Sequence, residues 1–143
     1  PETYVQWFHL TPNAVLLDQS KHKATFFIPE IERHLTVIDL TSSTDISIKR
    51  GLEEKEIQGW YSRKLWEFKP NYAIGLAKKA RQHHFKTLFL LHEDEEPPAV
   101  KTRNVVHFSK FCLQIDNAIE GYQLSNGLLS ECSQELSNND TIQ

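Results

Sequence analysis

Apolar and polar residues alternate with a period of two along most of this chain. TYVQWFHL (Thr3 to Leu10) is rich in aromatic and β-branched residues and stops at TPN. AVLLD ends at QSKHK, and ATFFI ends at Pro29. HLTVIDL (His34 to Leu40) alternates, with Leu35, Val37 and Ile38 apolar. DISIKR puts Ile46 and Ile48 on one face and Ser47 and Lys49 on the other, because successive strand residues point to opposite faces. NYAIGLAKKA continues the pattern with Tyr72, Ile74 and Leu76 on one side. Short alternating strands at regular spacing, separated by turn residues, predict an all-β fold: an antiparallel β-sandwich, here part of a larger sandwich, with few or no helices.

The remaining stretches refine that picture. FKTLFLL (Phe85 to Leu91) is a continuous apolar run bounded by charge, which suits a central strand buried on both faces. In NVVHFSKFCLQI the apolar Val106, Phe108 and Cys112 share no clean face, so a bulge or bend is expected near Ser109-Lys110. AIEGYQL is a last candidate strand. AIGLAKKARQHH could be drawn as a short amphipathic helix, but both flanks read as strand. The domain is expected to run over residues 1–124, with a polar, surface-draped tail at 125–143.

Composition changes this little. With 39% hydrophobic and 24% charged residues the chain is ordinary for a globular domain. Its net charge of −3 gives no overall field to recruit nucleic acid or an anionic membrane, so neither is expected as a partner. The chain begins at Pro1 and contains no methionine, and it reads as a piece of something longer. Cys112 lies in an apolar stretch and Cys132 in the polar tail; a buried thiol and an exposed one are expected, with a disulfide as the other possibility.

The candidate chemistry is sparse. Seven histidines are scattered, without a HExxH motif or a suitably spaced cysteine, and His83 and His84 would face opposite ways on a strand. No metal is expected in this chain. His9 sits beside Trp7 and Phe8, where an imidazole needs a partner, so a hydrogen-bonded core histidine is expected. HEDEEPP (His92 to Pro98) holds four consecutive carboxylates; calcium takes such oxygens, but a solvated loop tip suits repeated like charges better. TSSTD (Thr41 to Asp45) reads as turn chemistry. EIQGWYSRKLWEFKPNYAIG crowds Trp60, Tyr61, Trp66 and Phe68 together. Gly59 suggests a crowded corner, and Trp60 and Tyr61 could either cover a core edge or stack on sugar rings. With Trp66 and Trp7 they are the candidate carbohydrate contacts.

The order of these pieces resembles the C-terminal β-sandwich of heparinase II/III-like polysaccharide lyases. His9-Leu10-Thr11-Pro12, Gly59-Trp60-Tyr61-Ser62, Pro70 to Leu76 and Thr87-Leu88-Phe89-Leu90 carry the likeness, over roughly residues 4 to 92. Such enzymes join a toroid of paired helices to a large antiparallel sandwich and cleave uronic-acid polysaccharides by β-elimination. A base removes the C5 proton while the developing anion is neutralised. The family's catalytic Asn, His and Tyr lie in the toroid, and a further histidine and a divalent metal site lie earlier in the sandwich. The resemblance therefore transfers no catalytic residue to this chain and gives His9 a structural role. It implies a non-catalytic sandwich portion of a lyase, secreted or periplasmic, with the rest of the parent chain and possibly a polysaccharide as partners. A free-standing carbohydrate-binding module and a structural or assembly domain are the alternatives. An exposed, coplanar pair of rings would favour the module.

Overall fold

The computed structural model describes residues 1–40, 45–51, 60–104, 110–116, 118–123, 129–130 and 136–143. The chain is all-β and sandwich-like, with antiparallel pairing throughout the described strands. It divides into two compact units, Pro1–Glu95 and Glu96–Gln143. The boundary thus falls in the acidic HEDEEPP loop, where Glu93 to Glu96 are exposed as expected and Pro97 and Pro98 carry no strand.

In the first unit the strands are β1 (Glu2–His9), β2 (Val15–Gln19), β3 (Lys23–Ile28), β4 (Arg33–Asp39), β5 (Ser47–Arg50), β6 (Trp60–Lys64), β7 (Glu67–Pro70), β8 (Tyr72–Ala80) and β9 (Thr87–His92). Sheet I has the order β1-β8-β5 and sheet II the order β2-β3-β4-β9, while β6 and β7 form a separate hairpin. The alternation read from the sequence decides which side chains meet. Ala24, Phe26 and Ile28 of β3 and Val37 of β4 point inward from sheet II. They meet Ile74 and Leu76 of β8, with Ile46, Ile48, Tyr72 and Phe8 around them. The rings of Phe26 and Tyr72 lie 5.5 Å apart across this core. Thr25 and Thr36, one residue out of phase, face the other side of sheet II.

Two expectations about strands are corrected. FKTLFLL is not a doubly buried central strand. Among the described residues its β9 pairs only with β4, at the end of sheet II, and Leu91 is 63% exposed. The apolar run matches burial on the two faces of a central strand, but an edge position leaves part of one face uncovered. NVVHFSKFCLQI is not one bent strand either. It spans the end of β10 (Val100–Asn104) and all of β11 (Lys110–Ile115), which run antiparallel to each other. Ser109 of the expected bend lies outside the described residues.

The second unit is a sheet of its own, in the order β10-β11-β12-β13, with β12 at Ala118–Gln123 and β13 at Leu129–Ser130. The segment read as a tail takes part in it. Leu129 and Ser130 pair with β12, and Leu136 is buried. Asn138–Asp140 forms a 3-10 turn closed by a capping box between Ser137 and Asp140. Arg103 of β10 donates to both carboxylate oxygens of Asp140, at 3.2 and 2.6 Å. Those bonds, first, and the Ser137 amide, second, hold the Asp140 carboxyl below its ordinary pKa. Cys112 is buried and disulfide-bonded, and Cys132 is the other cysteine of the sequence, outside the described residues. The expected free buried thiol is therefore wrong. Sequence spacing carries no information on whether two Cβ atoms approach closely enough to be bridged.

A tryptophan platform on sheet I

The outer face of sheet I carries Thr3, Val5, Trp7 and His9 from β1, then Ala73, Gly75, Ala77 and Lys79 from β8, then Ser47 and Lys49 from β5. Its middle strand is floored with small residues. Trp7 stands opposite Gly75, and a Cβ added at Gly75 would lie 2.6 Å from the Trp7 ring. The indole therefore lies across β8 over the one position without a side chain. Lys49 Nζ sits 5.9 Å from the ring centroid, within cation–π range. Trp7 stays half-exposed, and Val5, His9, Ser47 and Lys79 around it are exposed. The charged strand residues of this face, Lys49 and Lys79, are both basic. A flat apolar ring with an ammonium group beside it can stack on the C–H face of a sugar and attract carboxylate or sulfate groups on the same chain.

Substituting Gly75 by alanine is expected to lower stability by about 1–3 kcal/mol and to lift the Trp7 ring from the sheet. Urea unfolding and a red-shifted tryptophan emission would show both; an unchanged midpoint and spectrum would refute the close packing.

The other candidate residues are placed elsewhere. Gly59 lies outside the described residues. Trp60 opens β6 opposite Pro70 and is half-buried, so the expected corner at this point is the start of a strand. Tyr61 stands opposite Lys69, and its side chain is outside the described set. Trp66 occupies the turn of the β6–β7 hairpin at φ 68° and is 85% exposed. Among the described residues no ring contact joins Trp7, Trp60 and Trp66. His9 is exposed, not a core histidine. In β1 the inward positions fall on Tyr4, Gln6 and Phe8, and His9 is one step out of phase.

His92, His34 and His83 are engaged in structure. The Asp94 carbonyl can only accept, so His92 Nδ1–H donates to it at 2.6 Å. In the neutral ring Nε2 then accepts from Thr36 Oγ1 at 2.7 Å, and Thr36 accepts from Thr25 Oγ1 at 2.8 Å. Both His92 nitrogens are thereby committed. His34 Nδ1 donates to the Glu93 carbonyl at 2.9 Å, and its ring stacks on His92. His83 packs edge-on against Phe85, and burial, helped by Lys78, lowers its pKa. Among the described residues no three His, Cys, Asp or Glu side chains come together to hold a metal. Thr41 to Thr44 of the TSSTD turn are outside them, and Asp45 is exposed near Lys21, at 3.9 Å.

A cavity of about 340 Å³ lies between the β1–β2 loop and the β6–β7 hairpin. Glu30 and Glu67 face Lys64 and Lys69 there, with Thr11 and Asn13. Its balanced charges select no ligand charge. A backbone hydrogen bond, then the Asn13 and Thr11 side chains, keeps the Glu30 carboxyl below its ordinary pKa despite some desolvation.

No family model, no curated protein and no solved structure matches the chain.

Proposed function

We propose that the chain is the non-catalytic β-sandwich portion of a heparinase II/III-like polysaccharide lyase, and that its part in breakdown is to hold an acidic polysaccharide. The observation that carries the binding role is the Trp7 ring laid over Gly75 with Lys49 beside it, on a face whose charged strand residues are all basic. The lyase assignment draws support from the order of the motifs. They span roughly residues 4 to 92, and the compact unit runs from Pro1 to Glu95. All four motif segments contribute to strands: His9 closes β1, Trp60 to Ser62 open β6, Pro70 closes β7 with Tyr72 to Leu76 in β8, and Thr87 to Leu90 lie in β9. A disulfide at Cys112 agrees with a secreted or periplasmic parent, because such bonds persist in oxidising compartments. Proton abstraction and any metal would belong to other parts of the parent.

The test is affinity electrophoresis of this chain through alginate, hyaluronan, chondroitin and heparan sulfate, with a neutral glucan as control. Absorbance of unsaturated uronates is followed in parallel. Retardation by at least one acidic polymer is expected, without new absorbance. Trp7→Ala should weaken it about tenfold, the scale of a lost aromatic stacking contact. Release of unsaturated uronates by this chain would place an active site within it and overturn the non-catalytic assignment. Retardation unchanged in Trp7→Ala would remove the platform. Migration unaffected by any polymer would leave a structural domain.

A further inference from the structure

The two sheets of the first unit end on the same side of the sandwich. Phe8 of β1 and Phe89 of β9 touch edge-to-face at 4.9 Å, so the edge of sheet I lies over the edge of sheet II. Strand edges are normally protected by charge, proline, a bulge or short length. The opposite edges follow that rule: β2 carries a bulge between Leu16 and Asp18, and β5 is four residues long and ends in Lys49 and Arg50. On the Phe8 side the protection is missing. β1 runs eight residues in unbroken register without lysine, arginine or proline, and β9 runs six residues with none of them either. Among the described residues no strand pairs with their outer sides. Phe89 and Leu91 share the inner face of sheet II with Val37 and Leu35, yet both are left exposed at this opening.

The hydrogen bonding of β1 decides what fits beside it. Leu10 N–H donates to the Tyr72 carbonyl at 2.9 Å. In an antiparallel ladder such bonds come from alternate residues, so Tyr4, Gln6 and Phe8 bond to β8. Thr3, Val5, Trp7 and His9 therefore direct their backbone amides and carbonyls to the open edge. Those groups call for another β-strand. A lone extended peptide would complete one sheet and leave the other open. A second copy of this chain brings both edges at once, at the same spacing. A twofold axis perpendicular to the sheets pairs β1 with itself antiparallel and places β9 beside β9. Directly opposed residues must lie on the same face, which limits the register. Centred on Gln6, it pairs Thr3 with His9 and Val5 with Trp7 in both directions, and so engages all four outward residues. It also sets Gln6 against Gln6, whose Oε1 is buried without a hydrogen-bond partner in the single chain. Each side-chain amide can then donate to the other.

We infer that this chain forms a twofold dimer through the β1 and β9 edges, in which sheet I continues from one copy into the next and Phe89 and Leu91 are covered by their counterparts. At about 3.4 Å per residue the β1 edge is roughly 27 Å long, and two sheets about 10 Å apart with their outer side chains make it roughly 20 Å thick. That gives on the order of 600 Å² per copy, at the lower limit of a standard interface, and corresponds to a weak, micromolar dimer. The dimer is independent of glycan binding and compatible with it, because the Trp7 ring lies across β8, away from the edge.

The experiment is sedimentation equilibrium of the full chain over a concentration series, with amide hydrogen exchange at both ends of the series. A dimer that dissociates on dilution through the micromolar range is expected. As it forms, the amides of Thr3, Val5, Trp7 and His9 should gain protection, while those of Tyr4, Gln6 and Phe8 are protected in both states. Val5→Lys and Leu91→Lys put an ammonium group into the interface at positions exposed in the single chain, so they keep the fold. Each should weaken dimerisation about tenfold. Val15→Lys, exposed on the bulged edge, should leave it unchanged. A chain that is monomeric throughout the series overturns the proposal and leaves the edges to other strands of a longer parent. A dimer unaffected by Val5→Lys, or formed without the alternating gain in protection, also overturns it, since its interface lies elsewhere. So does open-ended growth, because a twofold edge pair closes at two copies.

Discussion

Phe26→Ala is expected to cost about 3–5 kcal/mol, enough to leave the first unit close to unfolding at body temperature. Phe26 is fully buried at the centre of β3. It faces Tyr72 across the sandwich, with Val37, Ile74 and Leu76 in the same cluster. Those neighbours sit on regular strands of both sheets and cannot collapse into the void without breaking ladder hydrogen bonds. The loss should therefore include a large cavity term as well as the transfer energy of the ring. All three tryptophans, Trp7, Trp60 and Trp66, lie in this unit, so their emission reports its unfolding. The thermal midpoint should fall on the order of 15 °C or more. Phe68→Ala removes the same ring from an exposed strand and should change stability by only about 0.5 kcal/mol. Similar losses from the two substitutions would mean that the core is not where the alternation places it.

Removing the disulfide at Cys112 should have the next largest effect. The second unit is small, and a short chain buries too little apolar surface to be stable without a staple. Cys112 lies in β11, between Arg103 of β10 and Gly121 of β12. The bond restricts the unfolded chain, a constraint worth about 3 kcal/mol. Cys112→Ser, or reduction, should strip hydrogen-exchange protection from the amides of β10 to β12. Protection in β3, β4 and β8 should persist, since they belong to the other compact unit. Uniform loss over both units, or none in either, would show that the bond does not staple the second unit.

Much of the fold could be read from the period of two, since that period is set by local backbone geometry. Ile46 with Ile48, and Tyr72 with Ile74 and Leu76, all face the core as the alternation requires. What the period cannot carry is which strand lies beside which. β9 was indistinguishable from a central strand because hydrophobicity reports burial, and burial depends on neighbours far away in sequence. The β6–β7 turn is hidden in the sequence for another reason. Its left-handed position holds Trp66 where turn chemistry would place Asn or Gly, so the usual punctuation is missing. Trp7 was picked out by its residue type, and Gly75 only as one more residue of an alternating strand. Their pairing into a platform depends on the register of β1 against β8, which neither segment specifies alone.

That register also orders events during synthesis. β1 leaves the ribosome well before its partner β8, which begins only at Tyr72. At roughly 5–20 residues per second, β1 stays an unpaired, alternating strand for several seconds while β2, β3 and β4 already form their meander. β4 waits longer still for β9. The nascent chain therefore passes through a stage with half a sandwich formed and its inner face open to water.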